Sequence, residues 1–293
     1  MSRPPTFTPP PGVRAHHLVT DRGEFAVLEA DAATARVKGT AVLLPGFTGS
    51  KEDFIVVQPL LAAAGYRSIA VDGRGQHESP GPRDDEAPYA QAELARDVLA
   101  QARALAGGPV HLLGHSLGGQ IARAAVLLDA SPFLSLTIMS SGPAQVAEGQ
   151  QQRVKLLRDG LAVMTMAEVW EAIQAMEPPQ DADAGDIDEG LSDGDDLRRR
   201  WLNNSPAQLI ATGRQLCEEP DRVAELAAIG LPLHVLSGDH DDAWPVELLD
   251  DMALRLGAER TVVPDADHSP NTDQPAATAR AIAAFWDRLP APS

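Results

Sequence analysis

The sequence predicts an α/β protein: a mostly parallel sheet covered by helices on both faces, interrupted by a helical insertion. Three observations carry this. Short apolar runs alternate with amphipathic stretches on either side of residues 143–230, the runs close on glycine or aspartate, and 143–230 holds helical patterns with no strand between them.

Residues 1–12 are proline-rich and polar and read as a loose, flexible arm. Residues 13–31 hold two β-like pieces around Asp21-Arg22-Gly23, the pattern of a hairpin at a sheet edge. An apolar strand at 40–44 runs into Pro45-Gly46-Phe47-Thr48-Gly49-Ser50. Residues 53–65 read as a helix closed by Gly65, and 67–71 as a strand ending in Asp72-Gly73-Arg74-Gly75-Gln76-His77-Glu78-Ser79. An amphipathic helix at 90–105 is broken by Gly107-Gly108-Pro109. The strand at 110–113 must then reverse across Gly114-His115-Ser116-Leu117-Gly118 into an alanine-rich helix. After a strand at 133–139 come helical runs at 150–161, 165–176, 205–217 and 221–228, with an aspartate- and glycine-rich loop at about 178–196. A strand at 233–238, a helix at 246–256, a strand at 259–263 and a helix at 274–289 complete the series. The core is thus expected at 13–142 and 231–293, and the insertion at 143–230.

At 293 residues the chain is long enough for one large α/β domain with an insertion. Its 24 basic and 42 acidic residues give a formal charge of -18, which argues against nucleic acid and anionic membrane surfaces as partners. No stretch reaches the ~20 apolar residues of a membrane span, and none near the start has signal-peptide character. One cysteine, Cys217, rules out an intramolecular disulfide; it suits a cytoplasmic location and reads as a packing residue. Metal chemistry is not expected. His111 and His115 are four apart, but a strand and a turn send them in different directions, and no acidic run has the calcium-loop pattern.

The Gly-x-Ser-x-Gly spacing around Ser116 is what a nucleophile elbow needs, because a serine at a strained strand-to-helix turn requires neighbours without bulk. Its hydroxyl is a poor nucleophile until an imidazole takes the proton and an acid orients that imidazole. Downstream, Leu233-His234-Val235-Leu236-Ser237-Gly238 is followed by Asp239-His240-Asp241-Asp242-Ala243-Trp244-Pro245, and later by Asp265-Ala266-Asp267-His268. With these motifs in this order the chain resembles the α/β-hydrolase fold superfamily from about residue 25 to 288. The resemblance implies Ser116 as nucleophile, His268 as base and Asp241 as the orienting acid, since Asp241 fits a Gly-x-x-Asp-x-x-x-Pro register. It also implies that the Phe47 and Leu117 amides form an oxyanion hole, although Pro45 stands where the superfamily usually has histidine and that residue's structuring bonds are missing. His77 replaces a glycine of the superfamily's Asp-x-x-Gly-x-Gly-x-Ser loop, a departure that bears on the loop's shape. The insertion corresponds to a lid over the pocket.

These assignments point to a cofactor-free serine hydrolase that cleaves an ester, thioester or lactone of a small to medium apolar acyl substrate. Met139, Met164, Trp170, Trp201 and Trp244 are candidates to line the acyl pocket. Two alternatives stay open. Lys51 follows a loop resembling those of a menaquinone-pathway synthase and of carbon–carbon bond hydrolases, which keeps a carbon–carbon hydrolase or lyase in play. A ligand-binding receptor on a hydrolase scaffold is the other. The sequence carries no sign of oligomeric state.

Overall fold

The alternating pattern resolves into an eight-stranded sheet in the computed structural model, which describes residues 2–176 and 193–289. The strands are β1 Val13–Thr20, β2 Gly23–Ala30, β3 Gly39–Leu44, β4 Tyr66–Val71, β5 Val110–His115, β6 Phe133–Met139, β7 Leu233–Gly238 and β8 Glu259–Val263. Their spatial order is β1-β2-β4-β3-β5-β6-β7-β8. The hairpin β1–β2 is antiparallel and β2 joins β4 antiparallel, while β4 through β8 run parallel.

The chain moves outward from β3 to β4, then returns to lay β5 on the other flank of β3. The loops leaving β3 and β5 therefore diverge at one point on the carboxyl edge of the sheet, the place where α/β sheets open a crevice. Leu44 at the end of β3 pairs with Gly114 in β5, which puts the Pro45 loop beside the Ser116 turn.

The helices are α1 Val57–Ala63, α2 Gln91–Ala104, α3 Leu117–Leu128, α4 Glu148–Leu161, α5 Met166–Met176, α6 Asp193–Asn203, α7 Pro206–Glu218, α8 Val223–Ala227, α9 Val246–Leu256, α10 Pro270–Asp273 and α11 Pro275–Asp287. Side chains alternate across each strand, so one strand feeds two cores. In β3, Val42 and Leu44 join the layer under α2, α3, α8 and α9, while Leu43 joins the opposite layer with Leu61 of α1 and Ile282, Phe285 and Trp286 of α11. Because both faces are covered, β5 is buried along its whole length, its two histidines included.

Three departures from the expected elements have physical causes, and one expectation falls mostly outside the described residues. The helix expected at 53–65 is a 3-10 turn, Lys51–Phe54, followed by α1. The turn is tightened by inward-facing charges: Lys51 Nζ lies 2.9 Å from Asp72 and Asp53 lies 2.9 Å from Arg200, all four side chains at most 1% exposed. Helix α6 was not anticipated, because its buried face carries Arg200 as well as Trp201. The expected acidic loop 178–196 lies outside the described residues except for 193–196, which open α6. Finally, the arm at 2–8 has no regular structure yet is not loose: Pro4 is buried, the Ser2 carbonyl accepts from Arg200 Nη2 at 2.6 Å, and the Phe7 ring lies 5.7 Å from the Arg200 guanidinium.

Candidate active site

Ser116 sits between β5 and α3 with φ 54° and ψ −119°, a backbone conformation that side chains rarely adopt. The elbow holds it there by close packing. A methyl group on Gly114 would lie 2.2 Å from the Gly118 carbonyl oxygen, and one on Gly118 would lie 2.6 Å from the Leu44 and Pro45 oxygens. Glycine at both positions is therefore a steric requirement of the turn.

Two more loops at the same edge bring the expected partners to Ser116. His268 Nε2 is 3.0 Å from Ser116 Oγ, and His268 Nδ1 is 2.9 and 3.0 Å from the two carboxylate oxygens of Asp241. A carboxylate only accepts, so the proton sits on Nδ1 and leaves Nε2 as acceptor for the serine hydroxyl. Asp241 is itself fixed: its wholly buried side chain also accepts from the amides of Ala243 at 2.9 Å and Trp244 at 3.1 Å. Trp244 stacks on His268 with ring centroids 6.1 Å apart and is anchored through Nε1 to the carbonyls of Ala144 and Gln145.

Two neighbouring carboxylates, Asp239 and Asp242, are engaged elsewhere, and the Asp267 main chain is held by Asp273. Asp239 accepts from the Asp265 amide, and Asp242 from Gln150 and Arg153.

Leu117 opens α3 and Phe47 follows Gly46 after β3; among the described residues neither amide donates to a protein acceptor. A methyl group on Gly46 would come within 3.3 Å of Ser116 Cβ, so the two loops are in van der Waals contact. The Gly46 carbonyl accepts from Gln76 Nε2 at 3.0 Å.

A cavity of about 570 Å³ opens over Ser116 and His268. Its apolar wall includes Phe47, Val146, Val154 and Leu216, and its polar wall includes Ser2 and Arg3 from the arm and Gln150 and Arg153 from α4. The five side chains expected to line an apolar pocket are not in this lining. Met139 lies fully buried with Leu113 and Leu236 in the sheet core, Trp170 and Trp201 pack together in a core of residues from 143–230, Trp244 braces His268, and Met164 is exposed in the turn between α4 and α5. Large apolar side chains were drawn to the cores, and the cavity is walled by polar and mid-sized residues instead.

His115, four residues from His111, has a different role from metal binding. It is buried, and Nε2 meets the His268 main-chain oxygen at 2.8 Å. Burial, then repulsion from His268, pushes its pKa down to about 3, so it is neutral and donates from Nε2. His77 keeps the left-handed backbone of the glycine it replaces, at φ 39°, with its amide donating to Asn204. Glu52, His77 and Glu78 could offer ligand atoms within 4.8 Å of one another, but Lys51 Nζ stands 2.8 Å from Glu52 and 2.6 Å from Glu78, where a cation would sit. Among the described residues no helix is long and apolar enough to cross a membrane.

Comparison with known proteins places the chain in a family. The chain is 29% identical over 94% of its length to the 2-(acetamidomethylene)succinate hydrolase of Mesorhizobium japonicum, covering 98% of that protein. It is 29% identical over 73% of its length to a 2-hydroxy-6-oxononadienedioate/2-hydroxy-6-oxononatrienedioate hydrolase of Paraburkholderia xenovorans, covering 72% of it. The fold is shared with a thermophilic esterase from Thermogutta terrifontis, at a TM-score of 0.71 and 20% identity, covering 94% of this chain and 98% of that one. The alpha/beta hydrolase family model matches residues 41–281. Sheet and family match agree: the chain is an enzyme of the hydrolase type and belongs to the alpha/beta hydrolase family.

Proposed function

We propose that the protein is a serine hydrolase that cleaves an ester, thioester or lactone through an acyl-enzyme on Ser116. The observation that carries this is the continuous relay from Asp241 through His268 to Ser116, each contact 3.0 Å or shorter. His268 takes the serine proton as Ser116 Oγ attacks the carbonyl, Asp241 holds the imidazole in the required tautomer, and the Phe47 and Leu117 amides receive the developing oxyanion. His268 then returns the proton to the leaving group and activates the water that releases the acid. Val146, Gln150, Arg153, Val154 and Leu216, all from 143–230, line the cavity and support reading that segment as a lid.

We further propose that the substrate is compact and carries a carboxylate, in place of the apolar acyl chain expected from the sequence. Arg3 and Arg153, the latter paired with Asp242, bring cations to the cavity wall, and the two relatives named above act on compounds named as dicarboxylates. The wall also carries Asp242, Asp267 and Asp273, which makes a charged-against-neutral comparison the decisive one. A second function, carbon–carbon bond hydrolysis, is favoured by the Paraburkholderia relative, whose named substrate is a keto acid.

The test is a probe pair of equal length, mono-p-nitrophenyl succinate and p-nitrophenyl butyrate, run beside 2-hydroxy-6-oxononadienedioate. Fluorophosphonate should label Ser116, and the succinate should be preferred. Absence of labelling would sink the serine mechanism; preference for butyrate would sink the carboxylate; turnover of the dienedioate alone would move the assignment to carbon–carbon cleavage.

A further inference from the structure

We infer that Gln76 is a positioning residue that aims the Phe47 amide at the reacting oxygen, an inference that rests on the serine mechanism proposed above. Gln76 is 6% exposed and lies in the loop after β4. Its Oε1 accepts the Gly73 amide at 3.0 Å and its Nε2 donates to the Gly46 carbonyl at 3.0 Å. The first bond assigns the orientation of the side-chain amide, because the end that accepts must be oxygen; the end facing Gly46 is then the donor.

The consequence follows from peptide geometry. The described chain has no cis peptide bond, so the carbonyl of Gly46 and the N–H of Phe47 lie in one rigid plane and point in opposite directions within it. A carbonyl held toward Gln76 turns the Phe47 N–H the other way. Gly46 is packed against Ser116 and His115, and Phe47 lines the cavity above Ser116. The Gly49 amide gives the same oxygen a second, longer bond at 3.2 Å, so losing Gln76 loosens the peptide plane without freeing it. Pro45 occupies the position at which the superfamily's histidine braces this loop, and Gln76 reaches the loop from a different strand. One glutamine thus restores from the side the rigidity that the proline position cannot supply by hydrogen bonding.

The experiment uses Gln76→Met, which keeps length without hydrogen bonds, and Gln76→Glu, which keeps the acceptor for Gly73 but cannot donate to Gly46 when ionised. Both are assayed on p-nitrophenyl butyrate and titrated with an alkyl trifluoromethyl ketone, whose adduct on the serine carries an oxyanion. Expected in each folded variant is a fall in kcat of about tenfold, with KM within about twofold and inhibitor affinity weakened by the same factor as kcat. Unchanged kcat and inhibitor affinity in either folded variant overturns the inference, as does a change confined to KM or a fall in kcat with no change in inhibitor affinity. Failure of the wild-type serine to bind the ketone would count against the serine mechanism itself, and is read separately.

Discussion

His115 Nε2 donates to the main-chain oxygen of His268 across 2.8 Å, so the residue before the elbow serine ties down the loop that carries the base. Its other ring nitrogen is buried without a partner, which makes this bond the imidazole's single polar anchor among the described residues. Replacing His115 with leucine removes a bond worth about 1 kcal/mol and should lower kcat by about fivefold to tenfold with little change in KM. Steady-state kinetics on p-nitrophenyl butyrate check this, and an unaltered kcat would show that the His268 loop holds itself.

The acids around the relay should separate cleanly. Asp241→Asn leaves the imidazole in the wrong tautomer and should cost about 10⁴ in kcat, while Ser116→Ala should cost on the order of 10⁶. Among the described residues the acid that hydrogen-bonds the His268 ring is Asp241, and asparagine at Asp239, Asp242, Asp265 or Asp267 should cost far less. A sensitive Asp239 or Asp242 beside a tolerant Asp241 would mean that the relay is wired differently.

Gly238 ends β7 directly beneath the His268 loop. A methyl group there would lie 2.0 Å from the Ala266 oxygen and 2.3 Å from that of Asp267. Gly238→Ala must push this loop outward by about an ångström, and a displacement of that size should reduce kcat by about 100-fold. The measurement is kcat together with a melting curve; a folded variant with normal kcat would show that the loop yields without moving the imidazole.

Stability should fall as the solution is acidified. Burial holds His77 and His111 down to about 4 and His115 and His234 down to about 3, against an ordinary value of 6.5. Below about pH 6.5 the unfolded chain takes up protons that the native chain refuses, so this stabilisation is complete above 6.5 and is lost as pH falls toward 4 and below. Asp72 acts in the opposite sense. Burial raises it to about 7 despite Lys51, so it favours the native state at low pH and loses that advantage as pH rises from 3.8 through 7. Burial raises Asp53 as well, so four histidines stand against two carboxyls and leave a net rise of Tm between pH 4.5 and 6.5. His111→Leu should flatten that slope, and thermal melts of both proteins across this range decide it.

The sheet and the relay were legible in the sequence because each rests on a local pattern: apolar runs closed by glycine, an elbow whose spacing is steric, and an acid in register with a strand end. The cavity wall was not. Trp201 and Met139 carry no mark that distinguishes a core position from a lining one, and the sheet and insertion cores claimed them. Arg200 hid α6, since a buried guanidinium paired with Asp53 looks in sequence like a charge on a solvated face. Gln76 and His115 act through single long-range bonds, to Gly46 and His268, that no periodicity records. Ser2 and Arg3 belong to a stretch whose composition suggests freedom, and their placement depends on a helix far along the chain.

That placement bears on how the protein is handled. With Ser2 and Arg3 in the cavity wall and the Ser2 carbonyl gripped by Arg200, whatever is fused ahead of Ser2 is delivered to the mouth of the reaction chamber. An affinity tag at the amino end should alter KM where the same tag at the carboxyl end does not. The same position offers an optical handle: an environment-sensitive dye on a Ser2→Cys variant, with Cys217 replaced by alanine, would brighten or dim as substrate enters.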